Sequence, residues 1–256
     1  CRANVRQAPY RRRSCSPLLP SSLQEITTIA ATEMPQRLIY LALHTDYSED
    51  LPHGTDYDEA KCGQIAVERL LKGDRGHYGP LEHPQLTLGI KTDHDTIMQL
   101  RTHRVGITFD VQSLRYTGEQ FVKVANGDLR VDEVFWTRPP GKYYNRQGNG
   151  YDWTQEMVDE QRAQYLSACI DYKNWRELGV NEEHARQCIP HGHFQCAQIS
   201  ANLRTWLHLL DMRWKADAQF EVRQLMTGVD LEIQKWVPEI HNWYMNNRAK
   251  KAKLAP

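Results

Sequence analysis

The alternation of apolar and polar positions along the chain predicts a first set of elements. Arg37–Leu43 (RLIYLAL) reads as a strand, followed by the polar stretch HTDYSEDLPHGTDY. Asp58 opens a helix through Leu71, with Ile65, Ala66, Arg69 and Leu70 at helical spacing and Gly73 as its stop. HYGPLEHP is a turn-rich connector. Gln85–Lys91 alternates as a half-buried strand does, and Thr92 or Asp93 caps a short helix ending near Arg104, with Gly106 just beyond. Phe121–Ala125 and Leu129–Phe135 flank Asn126-Gly127, a dipeptide suited to tight hairpins, so two antiparallel strands are predicted there. WTRPPGKYYNRQGNGYDW reads as a loop. A long helix runs from Thr154 to Leu178 and stops at Gly179; Asn181 caps a short one ending before Pro190. The remainder reads as three helices, roughly 200–213, 216–227 and 229–247. The fold class is therefore α+β, a small antiparallel sheet near the middle with a helical C-terminal half.

Residues 1–33 lack this periodicity. They are rich in Arg, Ser and Pro and contain no acid before Glu25. That composition fits a transit peptide; it equally fits a translated upstream segment preceding a start at Met34, the reading favoured here. On either account residues 1–33 are set aside as a disordered or non-native leader, and 34–256 form a single domain.

Composition narrows the function classes. The chain of 256 residues carries 32 basic and 32 acidic side chains, so it has no global positive field of the kind nucleic-acid and membrane-surface binders use. No apolar run approaches the roughly 18 residues that cross a bilayer. Six cysteines at 1, 15, 62, 169, 188 and 196 form no regular framework, which points to reduced thiols in a cytoplasmic compartment. Neither a G-x-x-x-x-G-K-[ST] loop nor a G-x-G-x-x-G fingerprint is present.

Against this neutral background, RTHRVGITFDVQSLRYTGEQ gathers Arg101, Arg104 and Arg115 with His103, Ser113 and Tyr116. Cations at a helix end explain His103 and Arg104 by the macrodipole alone. Beyond it, Ser113, Arg115 and Tyr116 are expected along an extended segment, with Ser113 and Arg115 on one face, as a phosphate clamp requires. Further on, Asn202, Arg204, His208 and Arg213 interrupt a core-like helix. Trp206, Leu209, Leu210 and Met212 imply a buried neighbourhood in which Arg213 needs a partner. Cys188-I-P-His191-G-His193-F-Q-Cys196 brings four metal-capable side chains together, but its spacing matches no common zinc motif, and no metal is assigned.

Together these stretches resemble the flavin-dependent thymidylate synthases. That family's Arg-His-Arg triplet, spacer and Ser-x-Arg-Tyr stand here as Thr102-His103-Arg104, eight residues, and Ser113-Leu114-Arg115-Tyr116. Thr102 takes the place of the first Arg, which leaves Arg101 or Thr102 as its counterpart. His77-Tyr78-Gly79-Pro80-Leu81-Glu82-His83, Ala185-Arg186, Asn202-x-Arg204 and Leu-Asp-Met-Arg213 follow in the family's order. The resemblance implies methylation of dUMP to dTMP, with 5,10-methylenetetrahydrofolate as carbon donor and FAD, reduced by NADPH, as hydride carrier. It implies that Gln99, Arg101, Thr102, Gln112, Ser113, Arg115, Arg186 and Arg213 bind the nucleotide, with Arg213 catalytic at the uracil. It implies that His77, Gly79, Glu82, Thr102, His103, Arg104, Asn202, Arg204 and His208 hold the flavin, in a homotetramer with active sites at subunit interfaces. Two rival readings are a cysteine-dependent thymidylate synthase using Cys188 or Cys196, and a non-catalytic nucleotide- or RNA-binding module.

Overall fold

A computed structural model describes residues 24–52, 54–73, 76–145 and 147–251. Its centre is a four-stranded antiparallel sheet in the order β1-β2-β6-β3. The strands are β1 (Glu25–Ala31), β2 (Gln85–Asp93), β3 (Ile107–Val111) and β6 (Phe194–Asn202); β4 (Gly141–Tyr144) and β5 (Gly150–Trp153) form a separate hairpin. The α+β class holds, but several strands are not the predicted ones.

β2 realises its sequence pattern. Leu86, Leu88 and Ile90 point inward and are almost fully buried, while Gln85, Thr87 and Lys91 face outward. Burying each such side chain contributes about 1.5–3 kcal/mol. On β6, Ala197, Ile199 and Ala201 join the same inner face, and Cys196, Gln198 and Ser200 lie on the outer one. Helices α9 (Leu203–Arg213), α10 (Phe220–Trp236) and α11 (Pro238–Asn247) contribute Trp206, Leu210, Val222, Met226, Val229 and Ile240 to that core. Trp206 is fully buried and donates its indole N–H to the Leu86 carbonyl at 3.1 Å, tying α9 to the sheet. A second core forms around Phe121, Phe135, Tyr165 and Tyr172, where α5 (Glu119–Ala125) and α6 (Val131–Val134) pack on the long helix α7 (Gln155–Glu177).

Six expectations are corrected. Residues 25–31, set aside with the leader, form the edge strand β1, paired with β2 from Glu25↔Lys91 to Ala31↔Leu86; residues 1–23 lie outside the described residues. RLIYLAL is helical: α1 (Pro35–Thr45) begins with Pro at its first turn, where a missing N–H does no harm. Its cap comes from far along the chain, because the Glu59 carboxylate accepts from the backbone N–H groups of Gln36 (2.6 Å) and Arg37 (2.9 Å).

Asn126-Gly127 ends a helix instead of turning a hairpin. Gly127 takes φ +81°, its N–H bonds to Val124 O, and Asp128 N–H bonds back to Lys123 O at 2.8 Å, a Schellman closure of α5. The stretch read as a loop after Trp136 is the β4–β5 hairpin, and 194–202, part of which was read as helix, is a strand. The last two helices break at Pro238 and not at Gly228, which lies inside α10.

Other expectations match. Asp58 caps α2 (Glu59–Ala66), which continues as a π-turn over Val67–Leu71, and Asp93 caps α3 (His94–Leu100). Thr154 and Asn181 cap α7 and α8 (Glu182–Ala185). Among the described residues no helix is long and apolar enough to cross a membrane.

Candidate active site

The end of α3 and the length of α9 build the site. Asp93 Oδ1 and Oδ2 accept from the Thr96 backbone N–H (3.0 Å) and hydroxyl (2.7 Å), fixing the start of α3; burial raises the Asp93 pKa. Asn202 Oδ1 accepts from Thr205 N–H at 2.9 Å and starts α9. Between the two helices the chain turns at Gly106, with φ +67°; a Cβ there would lie 2.5 Å from Thr205 Oγ1 and 2.7 Å from Asn202 Nδ2. Only glycine allows that approach, which sets His103 against α9.

Arg213 donates through Nε to His103 Nε2 (3.0 Å) and through one terminal nitrogen, Nη2, to Thr102 Oγ1 (2.9 Å) and Gln99 O (3.4 Å). The Thr102 hydroxyl donates in turn to Gln99 O at 2.7 Å. Arg213's other terminal nitrogen, Nη1, has no hydrogen-bond partner among the described residues. A guanidinium is thus clamped on two nitrogens and presented on the third.

These contacts fix the protonation of the neighbouring rings. Because Arg213 can only donate, His103 Nε2 must accept, so the proton of His103 sits on Nδ1 and is donated to His208 Nε2 at 3.1 Å. Burial, with the Arg213 cation and His208 beside it, lowers the His103 pKa to about 4. Burial lowers the pKa of His208 as well, against the pull of Asp211. Asp211 itself points away, buried and paired with Arg248 at 2.5 Å. Arg213 is therefore a cation beside two neutral imidazoles.

The remaining expected residues fall into separate groups. Arg204 pairs with Glu82 at 2.5 Å, and His77 Nε2 lies 2.7 Å from Asp46 Oδ2. His77 also lines a cleft of about 850 Å³ with Tyr40, His44, Tyr57 and Arg69. A Cβ at Gly79 would meet nothing within 4 Å, so this connector faces open space there. Arg101 and Arg104 are exposed.

Ser113, Arg115 and Arg186 do not join Arg213. The expected extended segment lies earlier, at Ile107–Val111, and Ser113 instead caps the short helix α4 (Leu114–Thr117), which breaks the shared face proposed for Ser113 and Arg115. Arg115 pairs with Glu183 of α8 at 3.0 Å, and Arg186 follows that helix half-buried. Gln112 holds the sheet edge, its Oε1 accepting from Cys196 N–H at 3.1 Å. β3 alone separates the two halves of the motif by about 13 Å, four residues' rise.

The Cys/His loop disperses its side chains. Cys188 donates to Ala185 O (3.1 Å), His191 faces Asp95 (3.1 Å), His193 Nδ1 donates to Pro190 O (2.8 Å), and Cys196 is exposed on the outer face of β6. Burial, then Asp171, raises the Cys188 pKa, which disfavours the thiolate a nucleophile needs. Among the described residues no group of three or more His, Cys, Asp or Glu side chains is placed to hold a metal ion.

Sequence reasoning missed Gln219, Glu221 and Arg138. The Gln99 side-chain amide donates to Gln219 Oε1, and Gln219 Nε2 donates to Glu221 Oε2 at 2.9 Å. Glu221 lies in the first turn of α10, where an acid reads simply as a partner of the helix dipole.

Residues 27–239 match the family described as thymidylate synthase complementing protein. The flavin-dependent thymidylate synthase of Halobacterium salinarum is 33% identical over 248 residues, covering 90% of this chain and 99% of the relative. That of Haloarcula marismortui is 32% identical over 252 residues, covering 91% and 100%. Among solved structures, the UMP/dUMP methylase PolB from Streptomyces cacaoi bound with 5-Br UMP shares the fold, with a TM-score of 0.67 at 16% identity over 91% of this chain and 96% of that one. On this match along most of its length, the chain belongs to the thymidylate synthase complementing protein family, the flavin-dependent thymidylate synthases.

Proposed function

We propose that the protein methylates dUMP to dTMP, taking carbon from 5,10-methylenetetrahydrofolate and using FAD, reduced by NADPH, as hydride carrier. Family membership supports the reaction class. The observation that carries the site assignment is Arg213, held by His103 and Thr102 with Nη1 presented. A preorganised cation beside the pyrimidine stabilises the ring as its N3 gives up a proton, and an opposite charge in contact lowers such a pKa by about 1–3 units. The neutral His103 matters here, because a protonated imidazole would repel Arg213.

The donor set fits an anionic flavin dinucleotide. Asn202 Nδ2, Arg204 and His208 lie along α9, with His103 and Arg104 after α3 and with His77, Gly79 and Glu82 on the nearby connector. When bound, the flavin supplies the hydride. Thr102 positions Arg213, and Arg101, one residue earlier and exposed, provides the guanidinium that Thr102 lacks.

Ser113, Arg115 and Arg186 are proposed to hold the nucleotide phosphate, with Gln99 and Gln112 bordering the nucleotide. None of these three residues hydrogen-bonds Arg213 within one chain, and the family resemblance extends the proposal to a homotetramer with active sites at subunit interfaces. The free thiols Cys62, Cys169, Cys188 and Cys196 accord with a reducing, cytoplasmic setting. The test is direct: purified protein should show a flavin absorption spectrum and form dTMP from dUMP, methylenetetrahydrofolate and NADPH. A protein that neither binds FAD nor forms dTMP would overturn the reading.

A further inference from the structure

The path from Gln99 into the molecule ends on a buried carboxylate. Glu221 is 3% exposed and accepts from Arg138 Nε (2.5 Å) and Nη2 (2.8 Å) and from Trp136 Nε1 (3.2 Å). The carboxylate also accepts from Gln219 Nε2 at 2.9 Å. Burial pushes the Glu221 pKa up, but the hydrogen bonds from Arg138 and Gln219, the Arg138 charge and a backbone hydrogen bond bring it below the usual carboxylate value, so the group is ionised.

An ionised carboxylate can only accept. Gln219 must therefore turn its NH2 toward Glu221 and its oxygen toward Gln99. Gln99 must in turn direct its NH2 at Gln219, which leaves Gln99 Oε1 without a partner among the described residues. Gln99 lies beside the Arg213 clamp, since its own backbone carbonyl accepts from Arg213. The orientation of an amide at the active site is thus imposed from outside it.

We propose that Glu221, acting through Gln219, is a positioning residue that fixes Gln99 as a hydrogen-bond acceptor for the deoxyribose 3′-hydroxyl of the nucleotide. This rests on the proposed deoxyuridylate reading. That nucleotide has two neutral donors, N3–H and the 3′-hydroxyl. N3 gives up its proton at Arg213, so the hydroxyl is the donor left for a carbonyl oxygen. Arg138 and Trp136 hold Glu221 and so belong to the same device, although they lie against the β4–β5 hairpin.

The test compares dUMP with 2′,3′-dideoxyuridylate, which lacks the hydroxyl, in wild type, Glu221→Gln, Gln219→Met and the double variant. Dissociation constants and the KM and kcat for dUMP are measured on the flavin-loaded enzyme, alongside melting temperature and flavin retention. In wild type, losing the hydroxyl should weaken binding about tenfold, the effect of one unmade hydrogen bond. Both single variants should bind dUMP about tenfold more weakly, raise KM much more than they lower kcat, and no longer distinguish the two nucleotides. The double variant should be no worse than either single one, because the residues act in series.

Gln219→Met leaves the Arg138–Glu221 pair intact, so it decides the matter if Glu221→Gln loses stability. Full discrimination against the dideoxy nucleotide in Gln219→Met would overturn the relay. Failure of wild type to bind either nucleotide would overturn the functional reading instead, and the relay's ligand with it.

Discussion

Arg213 and Arg115 carry opposite kinds of prediction. A phosphate contact is made in the ground state and the transition state alike, so Arg115→Ala is expected to raise the dUMP KM far more than it lowers kcat. In its proposed role Arg213 acts on charge that develops during reaction, so Arg213→Ala should lower kcat by about 10²–10³, with flavin still bound. Steady-state kinetics at saturating dUMP separate the two, and normal turnover by Arg213→Ala would remove its assigned role. Cys188→Ser should stay active, since burial disfavours its thiolate and its thiol donates to Ala185 O; abolished turnover with an intact fold would restore the cysteine mechanism. Histidines set the acid limit. His103 and His193 have folded pKa values of about 4, below the unfolded value, His193 chiefly through burial and with His94 stacked on it. Between pH 6.5 and 4 the unfolded chain therefore binds more protons, and the stability these groups contribute above pH 6.5 is lost as pH falls toward 4. His193→Asn keeps a donor for Pro190 O but cannot titrate, so melting temperatures across this window should fall less steeply for it than for wild type. An unchanged slope would count against His193.

At the scale of elements, β1 and α10 explain each other. Gly228 lies inside α10, where a Cβ would come within 2.4 Å of Ile26 Cδ1, so the glycine leaves space for the strand. Read alone, that glycine looks like a helix break, and the strand looks like the end of a leader. Each makes sense only beside the other. β1 is further tied down where Thr28 Oγ1 donates to Glu232 (2.7 Å) and Gln24 donates to Glu221 O (2.7 Å). A chain beginning at Met34 should therefore melt roughly 5 °C or more below one beginning at Gln24, because β2 loses its edge partner; equal melting temperatures would return residues 24–33 to the leader. The other misread elements share a cause. RLIYLAL has no local cap because its cap is Glu59, and the Asn-Gly pair serves a helix end as well as a hairpin, the choice being made by Phe121 and Val124 packing into the second core.

For the whole molecule, the separation of Arg115 from Arg213 leads to a mixing experiment. If active sites join halves from two copies, Arg115→Ala and Arg213→Ala subunits, each nearly inactive alone at low dUMP, should regain activity when co-assembled. Random mixing leaves about a quarter of the sites with both halves intact. No recovery in verified hybrids would place both halves in one chain. The sequence by itself determined the elements whose signals are local: the alternation of β2, the Asp58, Asp93, Thr154 and Asn181 caps, the long α7, and the order of motifs that marks the family. It also marked His103, Arg204, His208 and Arg213 as polar positions needing a reason. Only the tertiary structure decided that Thr102 and His103 clamp Arg213, that Glu82 answers Arg204, and that Glu221 orients Gln99 through Gln219. A cap or an alternating strand is specified by residues a few positions apart. A hydrogen bond's direction, by contrast, depends on which acceptor the fold brings within about 3 Å, and here the partners lie 83 or more positions apart in every case but Gln219–Glu221, which are two apart.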